Sequence, residues 1–147
     1  MKITTVKNYL SNHNYLTICE LINEENFHWS RSPQNFLFHS LIIKGETVSN
    51  YIQVCDPFNE KINKKITTAS ACLIPQRSDK KICQDITVEP LTIIYDLTTC
   101  NGKTVLPNSY EFESTENSAI ILNVKSKIQQ ISQSDSDYRI VLYLSFN

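Results

Sequence analysis

Residues that branch at Cβ dominate this chain and limit the folds open to it. There are 18 Ile, 7 Val and 12 Thr among 147 residues, but only three Ala. Branching at Cβ costs side-chain freedom in a helix, and branched side chains pack well on a pleated surface. The chain is therefore predicted to be mainly β.

A period of two in hydrophobicity supports this prediction over most of the length. After Pro33, for example, Phe36, Phe38, Ser40 and Ile42 fall on one face of a predicted strand. Similar β-prone patterning, interrupted by short polar turns, marks seven further segments: 47–55, 64–74, 82–89, 91–100, 103–106, 118–128 and 138–146. About eight strands at this spacing predict an antiparallel β-sandwich, with a jelly roll as one form of it. A small closed β-barrel stays open as the alternative.

Three local patterns give more detailed expectations. Residues 4–13 have helical spacing and residues 14–22 alternate, which predicts a short N-terminal helix followed by a strand. Asn101-Gly102 between two β-prone runs predicts an exposed two-residue hairpin turn. The last segment, 138–146, is apolar on one face and mixed on the other, which is typical of a central strand.

The size and charge of the chain exclude several classes of protein. A length of 147 residues predicts a single β domain over 1–147. The net charge of −1 argues against binding to nucleic acid or to an acidic membrane surface. No apolar run approaches the ~20 residues of a membrane-spanning helix, and the N-terminus has no apolar core of a secretory signal.

The five Cys residues are odd in number and widely spaced, and no C-x-x-C pair occurs. This pattern favours free, buried thiols in a reducing cytoplasm over disulfides or a zinc site, so neither metal nor cofactor is predicted. The excess of Lys over Arg, 11 to 3, suits the AT-rich coding sequence of a phage, virus or AT-rich bacterium.

The stretch "NFHWSRSPQNFLFH" from Asn26 to His39 is the leading candidate for a site. It holds the only Trp, two of the three His and one of the three Arg. Trp and Arg are enriched at binding hot spots, so a loop carrying Phe27, His28, Trp29 and Arg31 is predicted to contact a partner. The competing interpretation is that Trp29 closes one end of the core.

No catalytic motif stands out against this binding hypothesis. The two Gly residues, Gly45 and Gly102, cannot form a phosphate loop. Asp96, between Tyr95 and Leu97, is the one carboxylate whose setting suggests a raised pKa.

The sequence thus favours a recognition module without catalytic activity, which binds a protein partner or assembles with copies of itself. A small-molecule or carbohydrate binder that uses a barrel mouth or an aromatic loop is the first alternative. A small enzyme with a Cys/His pair is the second.

Overall fold

Two antiparallel β-sheets form the framework of the protein. The computed structural model describes residues 3–79 and 81–147, without the side chain of Cys83. The large sheet has the order β1-β10-β7-β12-β5-β3-β2, with β4 paired to β3, and the small sheet has the order β6-β11-β8-β9. The large-sheet strands are β1 Ile3–Val6, β2 Ser30–Arg31, β3 Leu37–Ile43, β4 Glu46–Thr47, β5 Ile66–Pro75, β7 Thr92–Asp96, β10 Ser118–Leu122 and β12 Tyr138–Phe146. The small-sheet strands are β6 Ile82–Val88, β8 Lys103–Leu106, β9 Tyr110–Glu113 and β11 Ser126–Ile131.

The path of the chain from β5 to β12 is that of a jelly roll. Over these eight strands the chain crosses between the sheets at every connection except the one from β8 to β9. The remaining strands, β1 to β4, widen the large sheet at its two edges. The predicted antiparallel sandwich is confirmed, and the sheets do not close into the alternative barrel.

The order of the first two elements is the reverse of the prediction. Residues 3–6 form β1, and α1, Asn12–Ile22, covers the stretch that was expected to be a strand. Ser11 caps α1 by accepting a hydrogen bond from the Asn14 backbone N–H at 3.1 Å. Tyr15, Ile18 and Ile22 are its buried residues, at the spacing i, i+3, i+7. The helical spacing dominates over the alternation because this face packs on the large sheet.

A second helical segment replaces the strand predicted over 47–55. A 3₁₀ turn, Ile52–Cys55, leads into α2, Asp56–Lys61. Pro57, which indicated a turn in the sequence, lies in the first turn of α2, where its missing N–H costs nothing. Phe58 follows it and is completely buried.

The Asn101-Gly102 hairpin prediction is wrong. The strands on either side, β7 and β8, belong to different sheets, and Gly102 is buried. A Cβ at Gly102 would lie 3.1 Å from Cδ of Arg139, so close packing accounts for this glycine. The Asn101 side chain instead holds the neighbouring loop, with a hydrogen bond from its amide to Oγ of Ser134 at 2.9 Å.

Apolar side chains form two cores, one on each face of the large sheet. The outer core packs the two helices against the sheet and includes Tyr9, Ile18, Phe27 and Phe58. The inner core lies between the two sheets and includes Ile94, Ile128 and Val141. The strand β12 lies between β5 and β7, so its predicted central position is confirmed.

No helix in residues 3–79 and 81–147 is long and apolar enough to cross a membrane.

Candidate functional site

A cleft of about 530 Å³ opens between β3, β5 and β12 of the large sheet and β6, the edge strand of the small one. We call it the interlayer cleft. Its apolar side chains include Phe36, Phe38, Ile86 and Val88, and its polar side chains include Ser70, Gln84, Tyr143 and Ser145.

The alternation of β3 explains the two chemically different faces of that strand. Phe38 and Ser40 line the interlayer cleft, as the period of two predicted. The prediction is wrong for Ile42, because a β-bulge between Ser40 and Ile42 pairs it with Ala69 and places its side chain in the outer core. His39 lies on the opposite face and stacks on Phe27. A loop also reaches across to β6, since Oε1 of Gln34 accepts a hydrogen bond from the Asp85 backbone N–H at 2.9 Å. This bond fixes one side of the cleft.

The floor of the cleft continues into the protein as a row of hydrogen-bonded side chains, which we call the buried polar chain: Gln84, Tyr143, Gln130, Arg139 and Asp96. The Tyr143 hydroxyl donates to Oε1 of Gln84 at 2.6 Å and accepts from Nε2 of Gln130 at 2.8 Å. The Arg139 guanidinium donates to Oε1 of Gln130 at 2.7 Å and to Oδ1 of Asp96 at 3.0 Å. These hydrogen bonds therefore hold Gln84 and Tyr143 in fixed positions at the cleft.

The buried ion pair at the end of this chain is almost completely removed from water. The exposed fractions of the Arg139 and Asp96 side chains are 0% and 4%. Burial raises the pKa of the Asp96 carboxyl, although the Arg139 guanidinium pulls it the other way. Arg139 also donates to Oγ1 of Thr104 at 3.1 Å, while its Nε has no hydrogen-bond partner among the described residues.

The four residues predicted to form a binding loop lie away from the interlayer cleft. Phe27 is buried, with 3% of its surface exposed, and its ring packs edge-on against Trp29 at 5.0 Å between centroids. Trp29 is half-buried, whereas His28 and Arg31 are exposed. None of the four is among the described residues that line the cleft. Partner binding by this loop stays a prediction, as does a protein partner or homo-oligomer.

The rings of Phe27, Trp29, His39 and Tyr51 pack together in what we call the aromatic corner, and hydrogen bonds of His39 hold it in place. Nδ1 of His39 lies 2.7 Å from the backbone oxygen of His28, so Nδ1 carries the proton. Nε2 of His39 lies 2.6 Å from Oγ of Ser49. His39 therefore ties the stretch before β3 to the segment that follows β4.

Sequence reasoning flagged Asp96 but missed the rest of the buried polar chain. The sequence could have predicted that Gln84 faces inward. Residues two apart on a strand share a face, so Gln84 lies on the same face of β6 as the apolar Ile86 and Val88. Gln130 shares parity with Ile128 in the same way. Nothing in the sequence indicated that these strands face Tyr143.

Comparison with known proteins finds similarity in structure and none in sequence. No protein-family model matches the chain, and no curated protein matches it. An oxidoreductase of the 2OG-Fe(II) oxygenase family from Burkholderia pseudomallei aligns with a TM-score of 0.66 at 9% identity, over 97% of this chain and 82% of that one. A prolyl hydroxylase from Trichoplax adhaerens, in complex with a hypoxia inducible factor peptide fragment, gives 0.66 at 11% identity, over 98% and 83%. A full-length protein of Neurospora crassa in complex with alpha-KG gives 0.58 at 8% identity, over 98% and 73%.

These similarities establish the fold, a jelly roll of the double-stranded β-helix type. They also correct the predicted function. The matching structures are enzymes, which contradicts the hypothesis of a recognition module without catalytic activity, together with its protein-binding character. That hypothesis rested on the absence of sequence motifs, and it is withdrawn.

One of these neighbours is named as a 2OG-Fe(II) oxygenase, and the described residues of this chain do not fit such an iron site. Such oxygenases hold Fe(II) with two His and one carboxylate on one face of the metal. Residues 3–79 and 81–147 contain no group of three or more His, Cys, Asp or Glu placed to hold a metal ion. Of the three His, His13 lies in α1, and His28 and His39 lie in the aromatic corner outside the interlayer cleft.

Proposed function

We propose that the interlayer cleft binds a small, uncharged organic molecule. The cleft itself carries this proposal: about 530 Å³ of space between the sheets, with apolar walls and a hydrogen-bonded floor. Ligand pockets commonly occupy about 300–1,000 Å³ and combine apolar walls with a few placed polar groups. Because the structural neighbours are enzymes, we treat this molecule as a candidate substrate.

The polar side chains at the floor of the cleft favour a ligand that carries a hydroxyl or carbonyl group. Ser70 and Ser145 present hydroxyls to the cleft. The Ser70 hydroxyl can donate or accept a hydrogen bond, whereas the Ser145 hydroxyl, which lies 2.8 Å from Oγ1 of Thr92, is left able to accept one. Tyr143 is held by two amides, so its position changes little when a ligand enters. A ligand that combines an aromatic or aliphatic body with one polar group would match walls and floor together.

The charges around the cleft support an uncharged ligand. No Lys, Arg or His is found among the described residues that line it, and Glu89 is the charged residue there. Arg139 lies below the floor and is paired with Asp96. An anion entering the cleft would lose hydration without gaining a counter-charge.

Two probes of the same shape test this proposal. We expect 2-naphthol, which is uncharged at pH 7, to bind with an affinity that isothermal titration calorimetry can measure. Its carboxylate analogue 2-naphthoate should bind about tenfold more weakly or worse, a difference of about 1.4 kcal/mol. Equal binding of both probes, or binding of neither, would contradict the proposal.

We further propose a reducing, cytoplasmic location, which the state of the thiols supports. Cys19, Cys55 and Cys100 carry free thiols, and the last two are buried. Burial raises the pKa of the Cys55 thiol to about 12, with a smaller contribution from Asp56. At neutral pH this thiol is protonated and reacts slowly.

A thiol titration measures this state. The native protein should react slowly and incompletely with a thiol reagent at pH 7.5. After unfolding without reductant, all five Cys in the sequence should react. Fewer than five reactive thiols in the unfolded chain would reveal a disulfide and count against a reducing location.

A further inference from the structure

Neutral hydrogen-bonding side chains lie between the sheets, beneath the interlayer cleft. Gln84 and Gln130 lie opposite each other in the register of β6 and β11. The Tyr143 hydroxyl lies between them and bonds to both, and Nε2 of Gln84 also donates to Sγ of Cys72 at 3.6 Å. Amides satisfied in this way offer neither the imidazole nor the carboxylate that an Fe(II) site needs.

The buried cation Arg139 is already neutralised from within the protein. Arg139 is fully buried, and its guanidinium is engaged by Asp96, Thr104 and Gln130. Both terminal nitrogens of Arg139 are engaged, so a dicarboxylate such as alpha-KG could pair with the guanidinium through Nε and Nη2 only by displacing the Asp96 carboxylate. The displaced Asp96 would then remain buried without a counter-charge, which costs several kcal/mol.

We infer that this chain has the fold of the oxygenases but works without their iron and without a 2-oxo dicarboxylate. The buried polar chain stabilises the interior of the sandwich, and its Asp96 occupies the position at Arg139 that an external carboxylate would need. This inference rests on the side chains of the interior and does not depend on the ligand proposed above. Either proposal can therefore fail while the other stands.

Metal retention tests the first half of the inference. The full chain is incubated with ferrous sulfate under anaerobic conditions, passed through a desalting column and analysed for iron by mass spectrometry. The expected result is the absence of stoichiometric iron and an unchanged melting temperature in the presence of Fe(II). One iron retained per chain, or a rise in melting temperature that saturates at one equivalent, would overturn it.

Thermal stabilisation by alpha-KG tests the second half. A ligand that binds only the native state raises its stability by about 4.1 kcal/mol at 1,000 times its Kd. We expect no rise in melting temperature with alpha-KG beyond that caused by sodium chloride at equal ionic strength, with or without Fe(II). A saturable rise above the salt control, or turnover of alpha-KG to succinate in the presence of Fe(II), would overturn the inference. The 2-naphthol measurement stays independent of both results.

Discussion

Replacing Arg139 by Met is expected to lower the free energy of unfolding by about 3–5 kcal/mol, because removal of one partner leaves the other as an uncompensated buried charge. Asp96 would keep its buried position with only weaker hydrogen bonds to oppose the cost of desolvation. Chemical unfolding in urea at pH 7 measures the loss. An unfolding free energy within about 1 kcal/mol of wild type, the range of exposed ion pairs, would contradict the account of this pair.

The same variant should show a characteristic dependence on pH. Without Arg139 the pKa of Asp96 in the folded state rises further. Desolvation is the largest cause of the raised pKa, and the guanidinium that opposes it is then absent. A group whose folded pKa is raised stabilises the protein below its unfolded pKa and loses that contribution as the pH rises through the folded pKa. The free energy of unfolding of Arg139→Met should therefore fall as the pH rises above 3.8, the ordinary pKa that Asp96 has in the unfolded chain. Adding Asp96→Asn should make the dependence flatter and recover part of the stability.

Replacing Phe27 by Ala should cost about 3–5 kcal/mol of stability, as for other buried aromatic side chains. The Phe27 ring stacks on His39 at 3.9 Å between centroids and packs edge-on against Tyr51 at 5.0 Å. Its removal would leave a cavity between β3 and the helical layer. Thermal and urea unfolding measure the effect.

Two neighbours of Phe27 provide matched controls. His28 and Arg31 are exposed, so His28→Ala and Arg31→Ala should change stability by about 0.5 kcal/mol or less. If Phe27→Ala were as mild as these two, Phe27 would not be part of the core. The loop could then still be a contact surface, as the sequence suggested.

The regular features of the fold could be predicted from the sequence, because each is encoded within one strand. The alternation correctly placed Phe38 and Ser40 on the cleft face of β3, but it failed at Ile42, where a β-bulge turns the side chain to the other face. The mixed pattern of β12 correctly indicated a central strand. Asp96 was flagged from its two apolar neighbours alone, and the structure confirms that it is buried.

Features that depend on contacts between distant segments could not be predicted. The buried polar chain takes its residues from β6, β7, β11 and β12, whose pairing the alternation does not specify. Asn101-Gly102 has the local chemistry of a hairpin turn, yet the chain there crosses from one sheet to the other. Gly102 is required by the approach of Arg139, which follows it by 37 positions in the sequence.

The class of function was misjudged for the same physical reason. The cleft is lined by strands that are distant in the sequence, β3, β5 and β12 on one side and β6 on the other, which only the three-dimensional arrangement brings together. The aromatic stretch around Trp29 attracted attention by composition, but its most buried member belongs to the outer core. Composition alone did not distinguish an aromatic residue that packs from one that binds.

A substitution that fills the interlayer cleft tests the central claim most directly. Ser70 lines the cleft on β5, so Ser70→Trp would place an indole where the ligand is proposed to lie. Thr4→Trp, at an exposed position on β1, adds the same side chain far from the cleft. With 2-naphthol in calorimetry, we predict an affinity about tenfold lower or worse for Ser70→Trp, a loss of about 1.4 kcal/mol, and the wild-type affinity for Thr4→Trp. Wild-type affinity in a folded Ser70→Trp protein would contradict the assignment of the cleft as the binding site.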